Sequence, residues 1–313
     1  MAVAPFRTRV RALDDALDAV VVAGRAESPK VQVNGLLKAL DAHASAIEVA
    51  RADADPIQMP RATFDPADPK VVARMVSIAL LAQPLTPLRN VTPSYGSGVY
   101  AIYYRGNHPL YVAISGSETP IYVGKADPAQ HDASTTREQG AKLTKRLAEH
   151  ATSIALAEGY ASSLRSRGGT IRLADFHCRR LVCATNAQLA AERHLIQMFW
   201  PLWNSETKAC WGLGKHGDAA KTRKNKRSPW DVVHPGRRLA LAKRLVDSLT
   251  PDEIRVRIKA TLKKCPVRRD HAALFQELLD SFRQDNVARL EQSTPPVGAV
   301  SGPDEDEAGD ADD

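Results

Sequence analysis

Apolar residues recur at helical spacing over the first fifty positions, where Val10, Leu13, Leu17 and Val20-Val21-Val22 form a stripe that Ser28-Pro29 interrupts. A second helix is expected to start after Asn34, a residue type suited to an N-cap, and to run through Leu36, Leu37, Leu40 and Ile47 towards Ala52. Residues 53–68 are rich in Asp and Pro and read as a linker. Asp68-Pro69 then supplies an N-cap with proline at the first helical position, leading a helix through Val72, Met75, Val76, Ala79 and Leu80 that Pro84 ends. Its role is structural, packed behind a sheet.

The period next changes to two. In Val99-Tyr100-Ala101-Ile102-Tyr103 the alternation sends Val99, Ala101 and Tyr103 to one face and Tyr100 to the other. Strands are expected at 98–105, 110–115 and 120–124, joined by the turn-forming stretches Arg105-Gly106-Asn107-His108 and Ser115-Gly116-Ser117-Glu118. The middle strand accounts for the 22-residue separation of Tyr100 and Tyr122, and His108 is expected to be exposed. Six of the seven tyrosines lie between Tyr95 and Tyr122. Taken alone they fit a core-filling hairpin as well as a functional cluster, because a phenol packs well in either setting.

Helical spacing returns at 137–152, where Leu143 and Leu147 form the apolar stripe and Arg146 and His150, four apart, share another face. Ile154–Leu164 reads as a further helix, Arg165-Ser166-Arg167-Gly168-Gly169 as a loop, and 171–176 and 181–184 as strands. Leu189, Leu195, Ile196 and Phe199 organise a helix over 186–200, with Glu192 on the border of its apolar side. Pro201 turns the chain, and Trp200 and Trp203 are assigned to packing. Over 211–238, Gly212, Gly214 and Gly217 accompany the densest basic run, Lys215, Lys221, Arg223, Lys224, Lys226 and Arg227, interleaved with Trp211, His216, Trp230 and His234. Residues 235–270 read as mainly helical and basic, and Phe275, Leu278, Leu279 and Phe282 as one last helix. After Gln292 the chain is rich in Pro, Gly and acids and is expected to be disordered.

Composition sharpens this picture at two points. The formal charge is +7, but residues 301–313 hold seven acids and no Lys or Arg, so elsewhere 43 basic residues face 29 acidic ones, a balance of +14. A polyanion partner is favoured. The four cysteines, Cys178, Cys183, Cys210 and Cys265, have neither zinc-site spacing nor the density of a secreted disulfide scaffold, which points to a reduced, cytoplasmic setting. No stretch approaches the roughly 20 apolar residues needed to cross a bilayer.

Gly98-Val99-Tyr100, Tyr122-Val123-Gly124, Arg146 with His150, Glu192 and Asn204 occur in an order that resembles the GIY-YIG nuclease superfamily. Arg146-Leu147-Ala148-Glu149-His150, Pro201-Leu202-Trp203-Asn204 and Trp230-Asp231-Val232-Val233-His234-Pro235-Gly236-Arg237 narrow the resemblance to type II restriction endonucleases, in the branch associated with the palindrome CCGCGG. The implied fold is α+β: a small antiparallel sheet flanked by helices. The chain divides accordingly into an N-terminal helical arm (1–53), a nuclease domain with DNA-binding loops (64–240), a helical basic extension (241–290) and an acidic disordered tail (293–313). The arm either embraces DNA or a partner subunit, or forms a plain hairpin packed on the main domain.

The resemblance implies hydrolysis of a DNA phosphodiester, with Glu192 as ligand to Mg2+, for which Mn2+ substitutes. Tyr100 is expected to act as general base or to position water, with Arg146 stabilising negative charge and His150 orienting Tyr100 or taking its proton. Tyr122 is expected to orient phosphate or water, Lys125 to add positive charge, and Asn204 to support Glu192 or the local turn. Candidate DNA contacts are Arg165, Arg167, Lys215, His216, Lys221, Arg223, Lys224, Lys226, Arg227, His234 and Arg237. The implied partners are double-stranded DNA and a second copy of the chain on a palindromic site. A companion methyltransferase for host protection is expected too. The alternatives are a related nuclease of repair, recombination or mobility, and a noncatalytic DNA-binding protein.

Overall fold

The helical periodicity at the start of the chain becomes two helices, α1 (Phe6–Gly24) and α2 (Lys30–Ala54). Helix α2 begins four residues before Asn34, which lies inside it and does not cap it. Val31 and Val33 weaken a helix by well under ~1 kcal/mol each, too little to delay its start. The computed structural model describes residues 6–24, 30–54, 57, 64–163, 171–184, 186–214, 226–243, 245–265 and 267–283. The chain falls into two units, 1–61 and 62–313. Within the first, no described side chain is buried, and Val10, Leu13 and Leu17 are exposed.

In the second unit, Asp68 caps α3 (Pro69–Leu81) by accepting from the Lys70 N–H at 2.7 Å, with Pro69 at the first position as expected. Four strands follow in one antiparallel sheet: β1 (Thr86–Pro87), β2 (Gly98–Tyr104), β3 (Tyr122–Ala126) and β4 (Phe176–Val182), in the order β1-β4-β2-β3. Tyr100 stands opposite Gly124 on one side and Arg180 on the other. The alternation divides β2 between two cores. Tyr100, Ile102 and Tyr104 pack beneath α4 (Lys142–Ser163), with Ile254 and Ile258 of α7 (Pro251–Lys264) in the same core. Val99, Ala101 and Tyr103 face Leu80 and Leu81 of α3, Leu195 and Phe199 of α5 (Ala187–Phe199), and Leu274 and Leu278 of α8 (His271–Asp280). Residues 251–280 therefore share the cores of the sheet. The architecture is α+β.

Three expected elements differ. Residues 110–115 form consecutive turns, with Tyr111 N–H donating to the His108 carbonyl and Ile114 N–H to that of Tyr111. Pro109 lacks a ladder donor, and Tyr111 and Ile114, three apart, are the residues the segment buries; that is turn spacing. His108 is buried with them, its ring stacked on Tyr111 at 5.1 Å. Helix α4 runs unbroken where two helices were expected, because its buried stripe, Leu143, Leu147, His150, Ile154 and Ala157, continues at spacings of three and four without proline. The two strands expected at 171–176 and 181–184 are a single one, β4, preceded by a short turn of helix at Leu173–Asp175.

Beyond α5, the two-residue strands β5 (Lys226–Arg227) and β6 (Val246–Asp247) pair in parallel around the short helix α6 (Pro229–Val233), which Ser228 caps. The tail at 293–313 and the loop at 165–169 lie outside the described residues.

Candidate active site

Strand β2 presents Tyr100 to the α4 side of the sheet, and α4 brings His150 to meet it, with Tyr100 Oη and His150 Nε2 2.7 Å apart. Both side chains are buried. The cross-strand partner must be glycine: a Cβ at Gly124 would lie 2.5 Å from Tyr100 Oη and 2.9 Å from the Tyr122 ring. The two phenols and the imidazole consequently cluster, with ring centroids 6.2 Å apart for Tyr100 and Tyr122 and 4.8 Å apart for Tyr122 and His150.

Burial decides the protonation of this cluster. It pushes the Tyr100 phenol well above its ordinary value, an effect that neighbouring Tyr122 and Glu192 reinforce and the Arg146 guanidinium opposes. Tyr122 is pushed up to about 12 for the same first reason, again against Arg146. His150 moves the other way, down to about 3, through burial and then the positive charge of Arg146, with the Leu213 backbone acting in favour of the imidazolium. Its Nδ1 makes no hydrogen bond of good geometry. Near neutral pH the imidazole is neutral and both phenols keep their protons.

Tyr122 forms the wall of a cleft of about 440 Å3 whose other walls include Lys125, Asp127, Arg146, Glu149 and Glu192. Arg146 borders the buried stripe of α4 and pairs with Glu149 at 2.9 Å; Lys125 pairs with Asp127 at 2.5 Å. Glu192 arrives from α5, on the opposite face of the sheet, and the two helices meet at β3 because β3 is the last strand of the order. Burial raises the Glu192 carboxyl to about 7; Lys125 opposes the shift, and Glu206 and Asp127 add to it.

Asn204 acts on β3 itself. Its Oδ1 accepts from the Val123 N–H and its Nδ2 donates to the Val123 carbonyl, both at 2.9 Å. A carboxamide thus pairs with the outer backbone groups of the residue between Tyr122 and Gly124, as a neighbouring strand would. The contact is to the strand and not to Glu192.

Tyr122, Lys125, Arg146 and Glu192 line one cleft, and Tyr100 and His150 pack on Tyr122. Of the expected DNA contacts, Arg165, Arg167, Lys215, His216, Lys221, Arg223 and Lys224 lie outside the described residues. Lys226 is exposed, and Arg227 pairs with Asp247 at 2.7 Å. His234 and Arg237 are placed otherwise than expected. His234 is buried, 2.5 Å from Tyr111 Oη through Nε2, among the rings of Trp230 and His108. Arg237 is buried in an ion pair with Asp231. Both side chains are buried, with His234 Nε2 on Tyr111 and the Arg237 guanidinium on Asp231 and backbone carbonyls. Asp127 was not singled out in the sequence, and Glu149, quoted within the Arg146–His150 motif, was given no role there; both line the cleft. Gly214 also approaches the cluster: a Cβ there would lie 3.8 Å from Tyr122 Oη and 4.0 Å from His150 Cε1.

The donor set suits a hard cation that keeps most of its water. Among the described residues no group of three or more His, Cys, Asp or Glu converges, and Asp127 is already paired with Lys125. Glu192 is the carboxylate in this cleft that would hold a hard divalent cation.

The four-stranded antiparallel sheet, with a tyrosine from each of two adjacent strands and a glutamate at its edge, is consistent with the fold of the GIY-YIG class of nucleases. The family model of the Eco29kI GIY-YIG domain matches residues 92–262, more than half of the chain, and the chain belongs to that restriction endonuclease family. No curated protein matches the chain. The protein is thus a restriction-type nuclease acting on DNA. No helix among the described residues is long and apolar enough to cross a membrane.

Proposed function

We propose that the protein is a type II deoxyribonuclease that cuts duplex DNA at a palindrome, with CCGCGG the first sequence to test and one divalent metal held by Glu192 in each active site. The observation that carries the reading is the contact between Tyr100 and a neutral, buried His150, packed against Tyr122 in the wall of a cleft that also takes in Lys125, Arg146 and Glu192.

Hydrolysis requires a water oxygen to bond to phosphorus while the bond to the 3′ oxygen breaks. A buried phenol with a raised pKa is a poor base by itself. Tyr100 passes its proton to His150 Nε2 as its own oxygen takes one from the attacking water, so no free phenolate is needed. Arg146 stabilises negative charge building on the phosphate and the phenol oxygen. Tyr122 and Lys125 orient the phosphate from the cleft wall. A bound divalent cation supplies Lewis-acid polarisation of the phosphate and charge for the departing oxygen. A palindromic target presents two equivalent strands, which a homodimer with one site per protomer cuts together.

The test is incubation with long unmethylated DNA, with Mg2+ and with EDTA, followed by mapping of the fragment ends. Discrete, metal-dependent ends with two-fold symmetric flanks are expected. Random degradation rejects the restriction reading, and no cutting in Mg2+ or Mn2+ across pH 6–9 rejects the catalytic one.

A further inference from the structure

The buried pair Asp231–Arg237 is tied into more than itself. Arg237 donates through Nε to Asp231 Oδ1 at 2.7 Å and through Nη2 to Oδ2 at 2.6 Å. Its Nη1 also donates to the Gly214 carbonyl, and Nη2 to the Gly212 carbonyl, each at 2.8 Å. Ser228 Oγ donates to Asp231 Oδ2 at 2.7 Å and sits where a Cβ on Gly212 would lie, 2.3 Å away. One guanidinium therefore links the end of α6 to the backbone at 212–214. Residue 236 is glycine at φ +156°, because a Cβ there would strike the Leu156 carbonyl of α4 at 2.3 Å. The segment carrying Arg237 is seated on the helix that bears Arg146 and His150.

The backbone it holds is the one that reaches the catalytic cluster. Gly214 comes closest to Tyr122 Oη, Arg146 Nη2 and His150 Cε1, and the Leu213 backbone and the Arg237 charge both act on the His150 imidazole. Stability gives no reason for the pair, since a buried ion pair is often no better than well-packed apolar side chains of the same volume. Geometry does: only a planar fork can hold a carboxylate and two carbonyls at once.

We propose that Asp231 and Arg237 are positioning residues for DNA cleavage, holding the Gly212–Gly214 backbone against Tyr122, Arg146 and His150 without touching the DNA. The proposal rests on the nuclease reading above. Arg237→Lys keeps the charge and the pairing to Asp231 but loses the simultaneous grip on the two carbonyls. Loss of placement by about 1 Å is enough to slow a reaction by one to two orders of magnitude.

The experiment measures single-turnover cleavage of a duplex carrying the site mapped for the wild type, and the Kd for the same duplex in EDTA. Arg237→Lys is expected to lower the rate constant by about tenfold or more and to change Kd by less than about threefold. Glu118→Gln serves as the stability-matched control, because it breaks the buried Arg179–Glu118 pair, 2.7 Å long, which touches none of the cleft residues named above. It is expected to lower the unfolding midpoint and leave the rate intact. Should Arg237→Lys fail to fold, Ser228→Ala loosens the network without stranding a charge and is expected to slow cleavage by about threefold. A full rate in the folded variant overturns the proposal. So does a parallel loss of rate and affinity, or an equal loss of rate in Glu118→Gln. If the wild type cuts no DNA, the nuclease reading fails first and this inference falls with it; if the wild type cuts and the variants cut equally well, only the inference fails.

Discussion

Glu192 carries a conflict between folding and function. Its carboxyl titrates near 7 in the folded chain against an ordinary value of 4.5, so the folded state holds the proton more tightly than the unfolded state. The stability this contributes is complete below pH 4.5 and is lost as pH rises through about 7, where the ionised group becomes a cost. Glu192→Gln should therefore stabilise the metal-free protein at pH 8 by about 1–2 kcal/mol, after allowance for partial solvent access, and by much less at pH 5. Urea unfolding at the two pH values measures this, and an equal effect at both would contradict the assigned burial. The same variant should abolish cleavage while leaving specific DNA binding largely intact. Gly124→Ala tests the other wall. The new methyl lies on the Tyr100 phenol, so a stability loss of about 1–3 kcal/mol is expected together with a cleavage rate reduced by about tenfold or more, read by thermal unfolding and single-turnover kinetics. The order of Tyr100, Tyr122, Arg146, His150 and Glu192 along the chain, through its resemblance to the GIY-YIG nucleases, made a shared site legible in the sequence. Arg237 was not legible in the same way. In one dimension it is one more basic residue, and nothing shows that its guanidinium turns inward to carbonyls 23 and 25 residues earlier.

At the scale of elements, β3 depends on a side chain for one of its neighbours. Asn204→Ala leaves both the N–H and the carbonyl of Val123 without their partner, at a cost of about 1–3 kcal/mol for each group that water fails to reach. Both stability and cleavage should fall, and amide hydrogen exchange at Val123 should accelerate far more than at Val99. Unchanged protection of Val123 would remove Asn204 from this role. The periodicity located β2, α3 and α5 to within a residue or so, and β3 two residues early; the last helix, α8, ends before Phe282. It failed at 110–115 for a physical reason: Val112, Tyr111 and Ile114 have strand-like composition, but Pro109 and the burial of residues three apart favour turns. The break expected between Thr152 and Ile154 is absent because Thr152 and Ser153 turn their hydroxyls back onto the Ala148 and Glu149 carbonyls and the helix runs on.

For the whole molecule, the balance of +14 outside the acidic end makes DNA binding strongly dependent on salt. Changing Lys221, Lys224 and Lys226 together to alanine should weaken binding to target and unrelated DNA alike and make the plot of log affinity against log salt shallower by about 2–3. A slope identical to that of the wild type would exclude these lysines as phosphate contacts. Substituting Arg223 should behave differently if it reads a base edge, costing about 1–3 kcal/mol of discrimination at one base pair and little elsewhere. The carboxamide that closes β3 also bears on how copies of the protein meet. At one border of the sheet β1 offers two residues, one of them a proline, and at the other the backbone of Val123 is already saturated. Both borders of this sheet are thus poor templates for an incoming strand, which disfavours joining two protomers through it. The same blunted borders guard the four-stranded sheet against polymerising strand by strand.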